Sequence, residues 1–337
     1  MRKIGLLGAT GYTGRLTATE FALRDVPVRL GGRSPERLAK VDSIDGTELA
    51  VVDTNDRHAL DRFLDGLDLV ISTVGPFELL GRPVVQAAVD AGVHYIDSTG
   101  EPDFIQWAYD TFTNADTAIV PACGYDYIPS DCAASVAAST LDGPPERIEI
   151  GYSLRNMRAT RGTARSALGA ILDTDDAGLR RTTVDGRPAI EMPLGDTTVI
   201  PRWAPAATVT CAVTTSKPVS LLVPPIGKAA LPMMRMARPL LHRMVERMPE
   251  GPSDEQRAAA LATVVATASR GAQKTTVRVA VTDVYAFTAL ALVECALAID
   301  GKGPMSPSQA VDAATLLDSL QGPLLSWRRP AQQSARR

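Results

Sequence analysis

The sequence predicts an α/β protein, a doubly wound parallel sheet followed by an α+β domain with a mostly antiparallel sheet. Three observations predict it. A short apolar run, Ile4 to Leu7, leads into glycines at 8, 11 and 14 and then into a helical pattern. Strand-like and helix-like segments then alternate without interruption for about 120 residues. After the linker Leu141-Asp-Gly-Pro-Pro145 the pattern changes to strand-like runs separated by turn residues. The divisions expected are 1–140, 141–282 and 283–325.

Bulk properties narrow the function. A chain of 337 residues with 45% apolar content and a net charge of −3 has the composition of a globular protein and no electrostatic case for nucleic acid. No apolar stretch approaches the ~18 residues of a membrane helix, and the basic start runs straight into the first strand, unlike a signal peptide. Cys123, Cys132, Cys211 and Cys295 lack metal or disulfide spacing and fit small buried groups in a reducing cytoplasm. His58, His94 and His242 are far apart, so no dedicated metal site is expected.

The first strand covers 2–7. Strand, glycine turn and helix start are the parts that hold a pyrophosphate against backbone N–H groups. In GATGYTG, Gly8 permits the turn, Gly11 lets a phosphate approach, and Gly14 packs helix on strand, with Thr10, Tyr12 and Thr13 between them. The spacing is GxxGxxG, not the GxGxxG of the dinucleotide fingerprint. A first helix is expected from Tyr12 to Leu23 and a second strand from Val26 to Leu30. That strand ends in Gly31-Gly32-Arg33-Ser34. An acid there would accept the ribose hydroxyls of NAD, whereas Arg33 and Ser34 suit a 2'-phosphate, which favours NADPH. Ser34-Pro35-Glu36 also reads as a helix cap.

Leu49–Val52 is the third strand. Asp53 after it either meets the adenine or caps the helix Arg57–Leu64. Asp68–Ser72 leads into a fourth strand and then Thr73-Val74-Gly75-Pro76-Phe77, a loop expected beside the nicotinamide, with a helix over 81–91. Val93–Asp97 is the fifth strand, followed by Ser98-Thr-Gly100-Glu101, where Gly100 is expected to shape the nicotinamide pocket and Glu101 to cap the helix from about Asp103. Thr117–Pro121 is the sixth strand, and Cys123-Gly-Tyr125-Asp126-Tyr-Ile-Pro-Ser-Asp131 follows. In a parallel sheet the ends Arg33, Asp53, Thr73, Asp97 and Asp126 gather along one crevice.

In the second half, Arg147–Leu154 reads as a strand and Arg161–Leu172 as a helix whose Gly162 and Thr163 either hold an oxygen or simply cap it. Short strands are expected over 176–215. In 231–248, Met234, Ala237, Leu241, Met244 and Met248 form one helical apolar face amid Arg235, Arg238, Arg243 and Arg247. This face fits a helix packed on the sheet, a dimer contact, a membrane surface, an acyl chain, or a carrier-protein arm. Ala260–Ala268 and Thr275–Thr282 read as an antiparallel pair. Asp283 caps a buried helix to Ile299, expected to pack on the first domain, and 308–320 forms a last helix before a basic, frayed tail, 328–337.

The motifs GATGYTG, GGR, STVGPF, YIDSTGE, CGYDYIPSD and RGTARS resemble the saccharopine dehydrogenase-like oxidoreductases, which include saccharopine reductases and trans-acting enoyl reductases. The resemblance implies an NAD(P)-binding first domain and reduction of a C=C or C=N bond in a small or acyl-type substrate. Independently, Tyr125, Asp126 and Asp97 are the candidates for moving a proton; no spacing identifies a catalytic pair. An amino-acid or secondary-amine dehydrogenase and a non-catalytic NADPH-binding protein, possible homodimers all, stay open.

Overall fold

The structure, a computed structural model, describes residues 2–41, 44–173 and 179–330, with side chains throughout except at 166, 167, 169–171, 173 and 222–229. The outer parts of two expected features, 176–178 of the short-strand region and 331–337 of the tail, lie outside the described residues.

Six strands with helices between them open the chain: β1 (Ile4–Leu7), β2 (Val28–Gly32), β3 (Leu49–Val51), β4 (Leu69–Ser72), β5 (His94–Asp97) and β6 (Ala118–Val120). β1, β4 and β6 are buried throughout, as strands covered on both faces must be. The second half contributes β7 (Arg147–Arg155), β8 (Arg180–Val184), β9 (Arg187–Glu191), β10 (Thr208–Thr214), β11 (Leu261–Arg270) and β12 (Gln273–Thr282), then β13 (Gly303–Pro304) and β14 (Leu325–Trp327). The first sheet has the order β13-β6-β5-β4-β1-β2-β3 with every described pairing parallel. The second runs β14-β12-β11-β7-β10-β9-β8 and is antiparallel except where β10 meets β7. This is the Rossmann-type sheet plus α+β layer that the alternation predicts.

One apolar core runs through both sheets, from Ile4 and Leu6 to Ile148 and Val264. The helix Ile128–Ala138 joins them, lying on β11 and β12 with ten of its residues buried. The helix Val284–Ala298 packs on Tyr12–Leu23, and Arg24 pairs with Glu294 across that contact at 2.8 Å. All four cysteines are free and buried.

Several boundaries differ from the sequence reading for physical reasons. The fourth helix starts at Phe77, not 81, because Glu101 takes the N–H groups of Phe77 at 3.1 Å and Glu78 at 2.8 Å. Glu101 therefore caps the neighbouring helix instead of the one that follows it, Pro102–Thr111. Asp56, not Asp53, caps Arg57–Leu64. Thr160 caps the helix Arg161–Asp173 through the Thr163 N–H. The single helix expected over 231–248 is two, Lys217–Met236 and Arg238–Glu246, since Pro239 cannot supply the N–H that would carry one helix through. The last helix divides into Pro307–Ala310 and Ala313–Leu320 because Val311 is extended. Gly303–Pro304, just before the last helices, pairs in parallel with β6.

Candidate functional site

The turn after β1 is built around glycines that cannot be replaced cheaply. Gly8 has φ +83, and a Cβ there would come within 2.7 Å of the Thr73 hydroxyl. A Cβ on Gly14 would lie 2.1 Å from the Gly8 carbonyl oxygen, whereas one on Gly11 would keep 3.2 Å. Gly14 thus fixes the approach of helix to strand. Gly11 begins the helix without any side-chain cap, so the N–H groups of Tyr12, Thr13 and Gly14 have no intrahelical acceptor. Uncapped donors at a positive helix end, behind a turn flanked by Gly8 and Gly11, fit a dinucleotide pyrophosphate. Thr73 ties this turn to the next strand end, its hydroxyl donating to Leu7 O at 3.0 Å.

Beyond β2, Arg33 is exposed, with no ion pair among the described residues, while Ser34 is occupied. The Ser34 hydroxyl accepts from Arg37 N at 3.2 Å and donates to Glu36 at 2.7 Å, which makes it the cap of Pro35–Leu38. Two cations that the sequence reading missed stand nearby. Arg15 and Arg37 both donate to Thr10 O, at 2.8 and 2.7 Å, and both pair with Glu250, at 3.2 and 3.4 Å. Arg37 lies on the short helix that Ser34 caps, four positions after Arg33, and was readable as a nearby cation. Glu250, 213 positions away from Arg37, was not. The segment it belongs to rests on the glycine turn, because the Tyr12 hydroxyl donates to Pro252 O at 2.7 Å and the Tyr12 ring stands edge-on to Tyr285. Asp53 is exposed and accepts from Asn55 N at 2.9 Å. Val74, Gly75 and Pro76 follow β4 with some exposure, joined by a cis Gly75–Pro76 bond, and Phe77 is buried.

The three proton-handling candidates occupy different environments. Asp97 is sealed: it accepts from the Tyr95 hydroxyl at 2.7 Å, Thr99 N at 2.8 Å and Ala122 N at 2.9 Å. Burial pushes its pKa up to about 7 despite these donors. One of those bonds holds Ala122 at φ +67, a strained conformation for a residue with a Cβ. Tyr125 is buried with its hydroxyl unpartnered, and burial, with Asp126 and Asp196 nearby, pushes its pKa up.

Asp126 is the exception in its neighbourhood. Every residue from Thr117 to Ala134 is buried except this one. Its carboxylate receives no hydrogen bond among the described residues, and Oδ2 lies 3.0 Å from where a Cβ on Gly100 would stand. Protein crowds its sides, and that desolvation pushes its pKa up to about 6. Below it the Asp126 carbonyl accepts from the Tyr152 hydroxyl at 3.2 Å, and that hydroxyl also meets the buried Asp196 carboxylate at 2.8 Å. Tyr152 comes from β7, so the second sheet supports the turn that carries Asp126.

The parallel sheet therefore brings the glycine turn, Arg33, Asp53, Thr73, Asp97 and Asp126 to one edge, and leaves Asp126 as the accessible acid among the proton-handling candidates. A concavity of about 1030 Å³ lies elsewhere, on the open face of the second sheet, bordered by Thr210, Thr267 and Arg278.

A parallel sheet with this uncapped glycine turn defines the first domain as a dinucleotide-binding domain. Residues 4–122 match the saccharopine dehydrogenase NADP binding domain family. A trans-acting enoyl reductase of Mycobacterium ulcerans is 35% identical over 196 residues, 54% of this chain and 46% of that protein. A protein of Arabidopsis thaliana named as a probable mitochondrial saccharopine dehydrogenase-like oxidoreductase is 30% identical over 235 residues, 59% of this chain and 51% of that one. The chain spans about half the length of these curated relatives. Apo saccharopine dehydrogenase (L-Glu forming) of Saccharomyces cerevisiae shares the fold, with a TM-score of 0.62, 15% identity and coverage of 97% of this chain and 99% of that one. Family model and relatives alike match this chain to the saccharopine dehydrogenase-like NAD(P)-binding oxidoreductases.

Proposed function

We propose that this protein is an NADPH-dependent reductase acting on a C=C or C=N bond of a small or acyl-type metabolite. The observation that carries the reading is Asp126, a solvent-facing carboxyl that accepts no hydrogen bond among the described residues, its pKa pushed up to about 6 by desolvation, at the sheet edge that holds the cofactor turn. Bound in that turn, the reduced nicotinamide supplies a hydride. The chain does the rest. The N–H groups of Tyr12, Thr13 and Gly14 hold the pyrophosphate, and Arg33, with Arg37 and Arg15 behind it, receives the 2'-phosphate. Hydride addition to a conjugated C=C leaves an enolate that a proton must quench, whereas a C=N takes its proton first and then accepts hydride to give a neutral amine; both need an acid at hand. Asp126 is the donor in this reading: its raised midpoint keeps a protonated fraction available at neutral pH. Tyr125 lies beside it with a hydroxyl that stays neutral, and Asp97 acts indirectly by fixing the turn at Ala122. The relatives named as an enoyl reductase and as a saccharopine dehydrogenase-like protein support both bond types.

The test is a fluorescence titration with NADPH and NADH, followed by oxidation of the preferred cofactor against a panel of α,β-unsaturated acyl thioesters and cyclic imines. NADPH-selective binding with turnover that Asp126→Asn lowers by about 10²–10⁴ supports the reading. Tight binding without turnover across both bond types would leave a cofactor-binding protein and refute it.

A further inference from the structure

The helices Lys217–Met236 and Arg238–Glu246 have an apolar line that no described residue covers. Their inner side is already satisfied, with Leu231 buried and Met234, Ala237, Leu241 and Met248 half-buried. On the outer side Met233 is 70% exposed, Met236 86%, Leu240 60% and Met244 60%. Met233 and Met236 are three apart near the end of the first helix, and Leu240 and Met244 four apart on the second, so each pair shares one side of its own helix. Four large, flexible apolar side chains in a row are more than scattered surface hydrophobics.

Charge identifies the occupant. Between Lys217 and Met248 the sequence places Lys217, Lys228, Arg235, Arg238, Arg243 and Arg247 against one acid, Glu246, which is held by Arg165 at 2.6 Å. The whole chain carries −3, so positive charge is concentrated on this segment. A second copy would bring two such cationic segments face to face across a two-fold axis, which repels. A surface of anionic headgroups over acyl chains matches both the methionine line and the arginines beside it.

We propose that Met233, Met236, Leu240 and Met244 dock the protein on an anionic phospholipid bilayer surface, with Arg243 and Arg247 meeting headgroup phosphates. The helix pair lies in the interface plane and does not span, since no helix among the described residues is long and apolar enough to cross a membrane. The chain passes from the docking helix directly to Glu250 on the glycine turn, which sets the sheet edge beside the bilayer.

The experiment is co-sedimentation of the full chain with vesicles of phosphatidylcholine alone and of phosphatidylcholine mixed with phosphatidylglycerol. The expected result is at least about tenfold tighter association with the anionic vesicles, weakened by salt. Met236→Asp with Leu240→Asp removes association with an unchanged melting curve and unchanged NADPH titration. Arg243→Gln with Arg247→Gln lowers the preference for anionic vesicles while leaving the apolar line intact. Failure to bind anionic vesicles, or binding that neither pair of substitutions alters, overturns the proposal. So does a dimer in light scattering that the aspartate pair dissociates, because a second copy would then cover the face. None of these readouts depends on turnover, so the reductase reading and this one fail separately.

Discussion

Replacing Asp97 by Asn separates a tether from a proton donor. In the folded chain the carboxyl titrates near 7, against 3.8 for the ordinary group. Between these values the folded state keeps a proton that the unfolded chain has released, so Asp97 makes stability fall as pH rises from about 4 to about 7, with no further loss above that. At about 1.4 kcal/mol per tenfold change in proton affinity, the loss is on the order of 4 kcal/mol. Asn keeps the geometry. Its oxygen accepts the two N–H bonds from Thr99 and Ala122 now made to Oδ1, and its amide can donate to the Tyr95 oxygen in place of the bond made to Oδ2. Asn cannot ionise. Urea unfolding of both proteins at pH 4.5, 6, 7 and 8, all roughly spanning that titration, should show Asp97→Asn gaining on wild type as pH rises and levelling off above about 7. Turnover of Asp97→Asn, where a substrate is in hand, should stay within about tenfold of wild type, since a general acid contributes roughly 10²–10⁴. A stability difference independent of pH, or loss of turnover with an intact fold, would refute the tether account.

Three further outcomes are expected. Arg33→Ala should weaken NADPH by roughly 1–3 kcal/mol and scarcely touch NADH in a fluorescence titration; equal losses for both would dismiss the 2'-phosphate assignment. Gly14→Ala should abolish cofactor binding or folding, because its Cβ would meet the Gly8 carbonyl at 2.1 Å, whereas Gly11→Ala, tight but not clashing at 3.2 Å, should fold with a smaller loss of melting temperature. With Asp126 protonated as the active form, kcat/KM should fall as pH rises through about 6, and Asp126→Asn should flatten that limb while lowering the rate by about 10²–10⁴; an unchanged profile in the variant would place the proton donor elsewhere.

What could be read from the sequence was local. The glycine turn, the strand alternation and Arg33 each follow from residues within a few positions of one another, and the structure has the parallel sheet they imply. Asp126 was visible as a strand-end acid, but its exposure within a buried run depends on how the second sheet stands beneath it, through Tyr152 and Asp196. Glu101 was misread because an acid before Pro102 looks like that helix's own cap, while the orphan N–H groups it satisfies belong to a helix beside it in space. The apolar stretch near 231–248 held two lines of methionine and leucine, and periodicity alone does not say which one the fold covers. Arg15, Arg37 and Glu250 meet only in three dimensions.

That last meeting changes how ionic strength acts on the cofactor. Open guanidinium groups surrender loosely held counterions when a phosphate arrives, and salt opposes such binding. Arg15 and Arg37 instead begin with the Glu250 carboxylate, so an incoming phosphate exchanges one anion for another. Added salt loosens the old partner as it weakens the new one. The affinity for a 2'-phosphate should then depend on salt mainly through Arg33, with a shallower slope than three free cations would give.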